Sequence, residues 1–169
     1  MNSKKIIEEL EKNKVVFKEI LSSIEKGVYL WKPKPNKWCI LEVVCHLLDE
    51  ELEDFRIRVQ SVLESPERTL PPFDPAIWVE ERSYMTQDYN SKLDTFLKER
   101  ESSINWLKGL QDPNWENSYQ HPKLGPLSAK LFLSNWLAHD YLHIKQLLKI
   151  KFDYLKDHSG ENLEYAGGW

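Results

Sequence analysis

The sequence has no apolar run long enough to cross a bilayer, and its opening, MNSKKIIEEL, is charged where a secretory leader would be greasy. Cytoplasm is therefore the expected compartment, and no membrane partner is expected. Basic charge is not in surplus either: 23 Lys and Arg stand against 27 Asp and Glu, a net charge of −4. Such a balance gives no general attraction to phosphates, so nucleic acid is not an expected partner. There are only two cysteines, Cys39 and Cys45, with no CxxC pattern. Six residues apart on a helix they would face different sides, so both are expected as reduced thiols. No repeat or low-complexity tract stands out, and little in the chain asks for a β-sheet.

What is present suits one domain, residues 1–169, long enough to bury a real core. Hydrophobic residues make up 41% and charged residues 30%, as in ordinary globular chains. Seven tryptophans are many for this length. Such rings fill cores, and they also wall pockets where their N–H groups find partners.

Apolar residues recurring at threes and fours predict four helices. The first spans about Ser3 to Lys26, stopped by Gly27 and the Pro-broken loop WKPKPNKW. The second runs from near Cys39 to about Glu64 on a stripe of Leu41, Cys45, Leu48, Leu52, Phe55, Val59 and Val62. A long connection follows, with one short helix near Ala76 to Glu81. The third helix spans Asp88 to Leu110, and a second long connection ends at Ser128, an N-cap for a fourth helix reaching about Lys151. The tail from about residue 152 shows no clear period. Four rods of similar length predict an all-α fold, a four-helix bundle with long connections after helices 2 and 3. Connections of that length usually carry function.

The stretch NWLAHDYLHIKQLL places His139 and His143 about 40° apart around a helix, on the face that carries Trp136, Leu147 and Ile150. Such a pair can bring two ring nitrogens to one cation, because side chains one turn apart lean together. A third ligand must come from elsewhere, and His46 on the second helix is the candidate. Its flank also carries Glu42, Asp49, Glu50 and Glu53. Two readings stand at this point. The histidines form a metal site, or His139 and His143 are hydrogen-bonded core residues and His46 lies at the surface. The pair is not the HExxH of zinc proteases, because Asp140 follows the first histidine.

The segment WCILEVVCHLLDEELEDFRIRVQSVL resembles the second-helix motif of the DinB/YfiT superfamily, and WLAHDYLHIKQL is similar to its closing motif, H-x3-H followed by xxQ. FDPAIWVEERSY, FLKERESSINWL, HPKLGPLS and the tail LEYAGGW keep the order of that family. The resemblance runs from about Trp31 to Trp169. It implies a four-helix bundle with a three-histidine divalent metal site, zinc or nickel, whose ligands here would be His46, His139 and His143. Relatives include transferases that use a low-molecular-weight thiol, bacillithiol or mycothiol, and others described as metal-dependent hydrolases. The resemblance also implies a homodimer and a small-molecule substrate.

Three imidazoles leave a coordination position open, which marks catalytic rather than closed structural sites. Water activated there gives a hydrolase; a thiol activated there gives an S-transferase. Asp49 and Glu50, one turn beyond His46, could orient its ring or take a proton, or belong to a solvated acidic face. Asp140 could hold the His143 ring or pair helices. Trp38, Trp136 and Tyr141 could wall the pocket or fill the core. Arg56 and Arg82 could meet the carboxylates of an anionic thiol, although exposed arginines usually have no such role. His121 and His158, in loop-like segments, are read as non-ligands. A bundle with a structural metal or a ligand-sensing role is the non-catalytic alternative.

Overall fold

The computed structural model describes residues 1–72 and 74–168. Phe73 and Trp169, which belong to two of the motifs quoted above, lie outside the described residues. Four rods are built from α1 (Ser3–Leu21), the run α3 (Ile40–Glu50), π segment (Glu51–Phe55) and α4 (Arg56–Glu64), α6 (Tyr89–Gly109), and α7 (Ala129–His158). Two short helices, α2 (Lys26–Tyr29) and α5 (Pro75–Glu81), lie in the connections. The four-helix bundle expected from periodicity is the fold.

The ends differ from expectation for local reasons. α1 begins at a cap, with the Asn2 side chain accepting from the Lys5 N–H at 2.8 Å. It stops at Leu21 rather than Lys26, because Ser22 turns extended and Ser23 takes a left-handed φ of 57°. Gly27 therefore sits inside α2 instead of ending α1. At the other end, α7 continues to His158, seven residues beyond Lys151, so no tail starts at 152. The indole of Trp31 meets Tyr154 edge-on at 5.5 Å, and His158 stacks on Tyr154 at 3.9 Å. Those contacts give the last turns of α7 something to pack on.

A small hairpin also corrects the reading without strands. β1 (Ser118–His121) pairs antiparallel with β2 (Gly125–Ser128), with Tyr119 opposite Leu127. Gly125 closes it at a φ of 75°, a conformation that glycine adopts without a Cβ penalty. The Nδ1 of His121 accepts the Lys123 and Leu124 N–H groups, both at 3.1 Å, so this ring caps the turn.

α3 is the innermost helix. Every residue from Ile40 to Glu50 is buried, so the flank carrying Glu42, Asp49 and Glu50 is not a solvated face. Glu42 caps the helix start, accepting from the Cys39 N–H at 2.9 Å and from Lys32 at 2.8 Å. Both cysteines are free and buried, and Cys39 stands just before the helix rather than inside it.

Across the middle of the bundle each rod contributes one polar residue from its apolar stripe. Arg100 on α6 grips both oxygens of Asp140 on α7, at 2.7 and 2.9 Å, and its Nε donates to Glu51 at 2.8 Å. Asn13 on α1 donates to Asp140 at 3.2 Å, and the indole of Trp136 donates to Glu51, also at 3.2 Å. Asp140 therefore joins helices, the second of its two readings. This layer borders the site described next, since Glu51 follows Glu50 and Asp140 follows His139.

Candidate metal centre

α3 and α7 bring His46, His139 and His143 together although 93 residues separate the first two. The Nε2 of His139 lies 3.2 Å from that of His46 and 3.1 Å from that of His143. Nitrogens bound to one ion at about 2.0–2.1 Å, at angles near 100°, would stand about that far apart, and the three ligand atoms together lie within 4.8 Å of one another. His46 and His143 are buried, and His139 is half-buried, which leaves the cluster one accessible side. Trp38 covers His46, ring centres 5.0 Å apart, and Phe55 covers His139, also at 5.0 Å.

Burial pulls all three imidazoles below their ordinary pKa: His46 to about 3, His139 to about 2, and His143 in the same direction. For His46 and His139 the neighbouring His143 adds to the effect. Neutral rings are the ligand form. Gln146 fixes the tautomer of His143, whose Nδ1–H donates to Oε1 at 2.8 Å. The His143 Nε2 is then a bare lone pair, aimed at His139. Protons alone serve this cluster poorly. One proton on His139 would have to serve both contacts, whereas a cation accepts a lone pair from all three rings. The donor set thus fits a divalent ion of the zinc type.

Glu50 joins the cluster, with its Oε1 3.5 Å from His46 Nε2. Burial, reinforced by nearby Asp54, raises this carboxyl to about 8. Asp49, one position earlier, turns the other way. It accepts from the Tyr84 hydroxyl at 2.5 Å and from Arg82 at 2.9 Å. Of the two carboxylates expected near the ligands, then, only Glu50 faces them.

The other expected pocket residues are engaged elsewhere. Arg56 donates to Glu99 at 2.9 Å and to Ser103 at 3.4 Å. Arg82 grips Glu53 at 2.7 and 3.0 Å and lies 4.0 Å over the Trp78 ring. Trp136 does not wall a pocket: it is 1% exposed and stacks on Phe55, backing the ring that covers His139. Tyr141 is exposed, while Trp38 does stand between cluster and solvent.

Two clefts adjoin the cluster. One, of about 530 Å³, lies between the loop at 33–38 and α7; four lysines, Trp38 and Gln146 line it. The other, of about 420 Å³, is lined mainly by apolar side chains, including Leu127, Leu131 and Phe132, and reaches His139 itself. Leu142 borders both. The arginines were singled out in the sequence and the lysines were not. Lys145 and Lys149 share a helix face with Leu142 and Gln146, a spacing that the sequence does carry.

The fold and this cluster define a four-helix bundle with a three-histidine site suited to a divalent cation. A family model described as the DinB superfamily matches residues 9–147, and the chain belongs to that superfamily. Among solved structures, YfiT from Bacillus subtilis, described as a probable metal-dependent hydrolase with an unusual four-helix bundle topology, superposes with a TM-score of 0.76. The two are 20% identical over 88% of this chain and 85% of that one, a likeness of fold. No curated protein matches the chain.

Proposed function

We propose that the chain is a metal-dependent enzyme in which His46, His139 and His143 hold one divalent cation, zinc or nickel, and which acts on a small molecule as a hydrolase or as a thiol S-transferase. The observation that carries this reading is the convergence of three neutral Nε2 atoms beside Glu50. A divalent ion held there supplies Lewis-acid polarisation and lowers the pKa of a water or thiol bound to it. The raised Glu50 carboxyl would return to its ionised form beside a cation held by the three rings, and Glu50, 3.5 Å from His46 Nε2, would then be placed to take the released proton. Gln146 keeps the His143 lone pair aimed inward, and Trp38 and Phe55 exclude water from two sides of the cluster. The description of YfiT as a probable metal-dependent hydrolase supports the same class of chemistry.

Metal analysis of chain purified without chelator tests the site. One equivalent of divalent ion is expected, and it is lost in His46→Ala; no metal in either sample refutes the reading. A Glu50→Gln variant should retain the ion and lose on the order of 10²-fold or more in turnover, the usual scale for a positioned proton acceptor. Product formed from a chloro-nitroaromatic only when a low-molecular-weight thiol is present assigns the transferase. Ester hydrolysis without thiol assigns the hydrolase. No turnover together with collapse on metal removal favours the structural metal.

A homodimer is part of the proposal, because α7 leaves Tyr141, Leu148 and Leu155 exposed at heptad spacing, 48%, 40% and 53% respectively. Light scattering on the purified chain checks it. Among the described residues no helix is long and apolar enough to cross a membrane. Two free, buried thiols support a cytoplasmic setting.

A further inference from the structure

The arginines expected to meet an anion are paired within the fold, whereas the lysines around the larger cleft are mostly not. Lys34 and Lys37 come from the Pro-broken loop, and Lys145 and Lys149 from one face of α7. Lys149 pairs with Asp153. The ammonium groups of Lys34, Lys37 and Lys145 have no carboxylate partner among the described residues. A chain of net charge −4 has therefore gathered four cations against one carboxylate at a single concavity. Like charges held together repel, and a bound anion removes that cost.

The cleft is not merely basic. Pro33, Trp38, Leu142 and Ile150 give it an apolar floor, along which lysine stems can lie while their heads stay in water. Pro33 and Pro35 restrict the loop that carries Lys34 and Lys37, so its lysines are partly preorganised. Two of the lining side chains also touch the histidine cluster. The Trp38 ring stands 5.0 Å from that of His46, and Gln146 accepts from His143 at 2.8 Å.

We propose that this cleft binds an organic anion, a small molecule carrying a carboxylate or phosphate-type group on an apolar body, with its charge held by Lys34, Lys37 and Lys145 and its body on Trp38. In the function proposed above this is the substrate's anionic part, held beside the cluster. That role rests on the metal-enzyme reading; the binding itself does not. The neighbouring cleft, with Leu127, Leu131 and Phe132, has no lysine, and the Arg58 in its wall pairs with Asp54 beside it, so it would take an uncharged apolar partner.

The test uses the full chain and three probes with one body: 1-naphthoate, 1-naphthalenephosphonate and neutral 1-naphthalenemethanol, followed by titration calorimetry. At low salt one or both anions should bind at least about tenfold tighter than the alcohol, and lose that advantage as salt rises. The tighter of the two identifies carboxylate or phosphate as the natural group. The double variant Lys37→Glu, Lys145→Glu should weaken anion binding about tenfold or more and leave the alcohol and the metal content unchanged. Equal affinity for all three probes, or no effect of the double variant, overturns the proposal. So does inorganic phosphate that binds as tightly as the phosphonate, since the apolar floor would then contribute nothing. Repeating the titration on His46→Ala separates the two readings: anion binding that survives there stands even if no metal is found in either protein.

Discussion

Arg100 shows what a single charge does at the middle of a bundle. Its burial draws the guanidinium pKa down, and the combined pull of Asp140 and Glu51 outweighs that, so it stays charged. Removing it would leave two carboxylates in the core without their partner. Arg100→Met is therefore expected to cost about 3–5 kcal/mol, read from urea denaturation at unchanged slope. The two thiols are a second case. Burial pushes Cys39 up to about 11 and Cys45 up to about 12. A raised pKa keeps a thiol protonated, so at pH 8 both should resist a thiol reagent in the native chain and react at once after unfolding; labelling rates followed by mass spectrometry check this. Arg100, Glu51 and Asp140 were legible as positions, each one turn from an apolar neighbour such as Phe96, Leu48 or Trp136. What the sequence could not show is that the three stripes bring their polar residues to one level.

Among the elements, the cores of the helices follow from periodicity, and their ends follow from contacts that periodicity does not contain. The end of α7 at His158 depends on Trp31, more than a hundred residues away in the chain. The end of α1 depends on two serines whose backbone could have stayed helical. The start of α7 was legible because its cap is local: the Ser128 hydroxyl accepts from the Leu131 N–H at 3.0 Å. Ser128→Ala should cost about 1 kcal/mol, measured as a shift in denaturation midpoint. The hairpin before it escaped notice because four-residue strands leave little pattern to read. Only the Gly-Pro pair at 125–126 marked its turn.

For the whole molecule, the metal should act as a clamp between α3 and α7, since its ligands lie on both. An ion at about a thousand times its dissociation constant adds roughly 4 kcal/mol to the stability of a chain that binds it only when folded. In a domain of this size that is roughly 8–16 °C in Tm, so calorimetry with zinc and with chelator should show a gap of this order. Two of the three ligands were legible as a pair on one helix face. His46 was a candidate from its place on the second helix, and family-like motifs decided for it, because no helical period says which rods become neighbours. The lysine cleft lies further from legibility still: its walls come from a loop and a helix a hundred residues apart, and lysines in a sequence look like ordinary surface.

The π segment carries a consequence for how such chains can change length. Glu51–Phe55 uses one residue more per turn than an α-helix, midway along the rod that bears His46 at one end and Val59 and Val62 at the other. Deleting the single residue Glu53 would let the rod close into plain α-helix with its halves facing the same ways as before, because the wide turn takes one residue more to sweep the same angle. The imidazole and the valines would keep their directions, and only the widened turn would be lost. A one-residue gap at this point in a related chain is therefore compatible with both the histidine cluster and this packing of the core, whereas the same gap elsewhere in the rod would turn its halves about 100° apart.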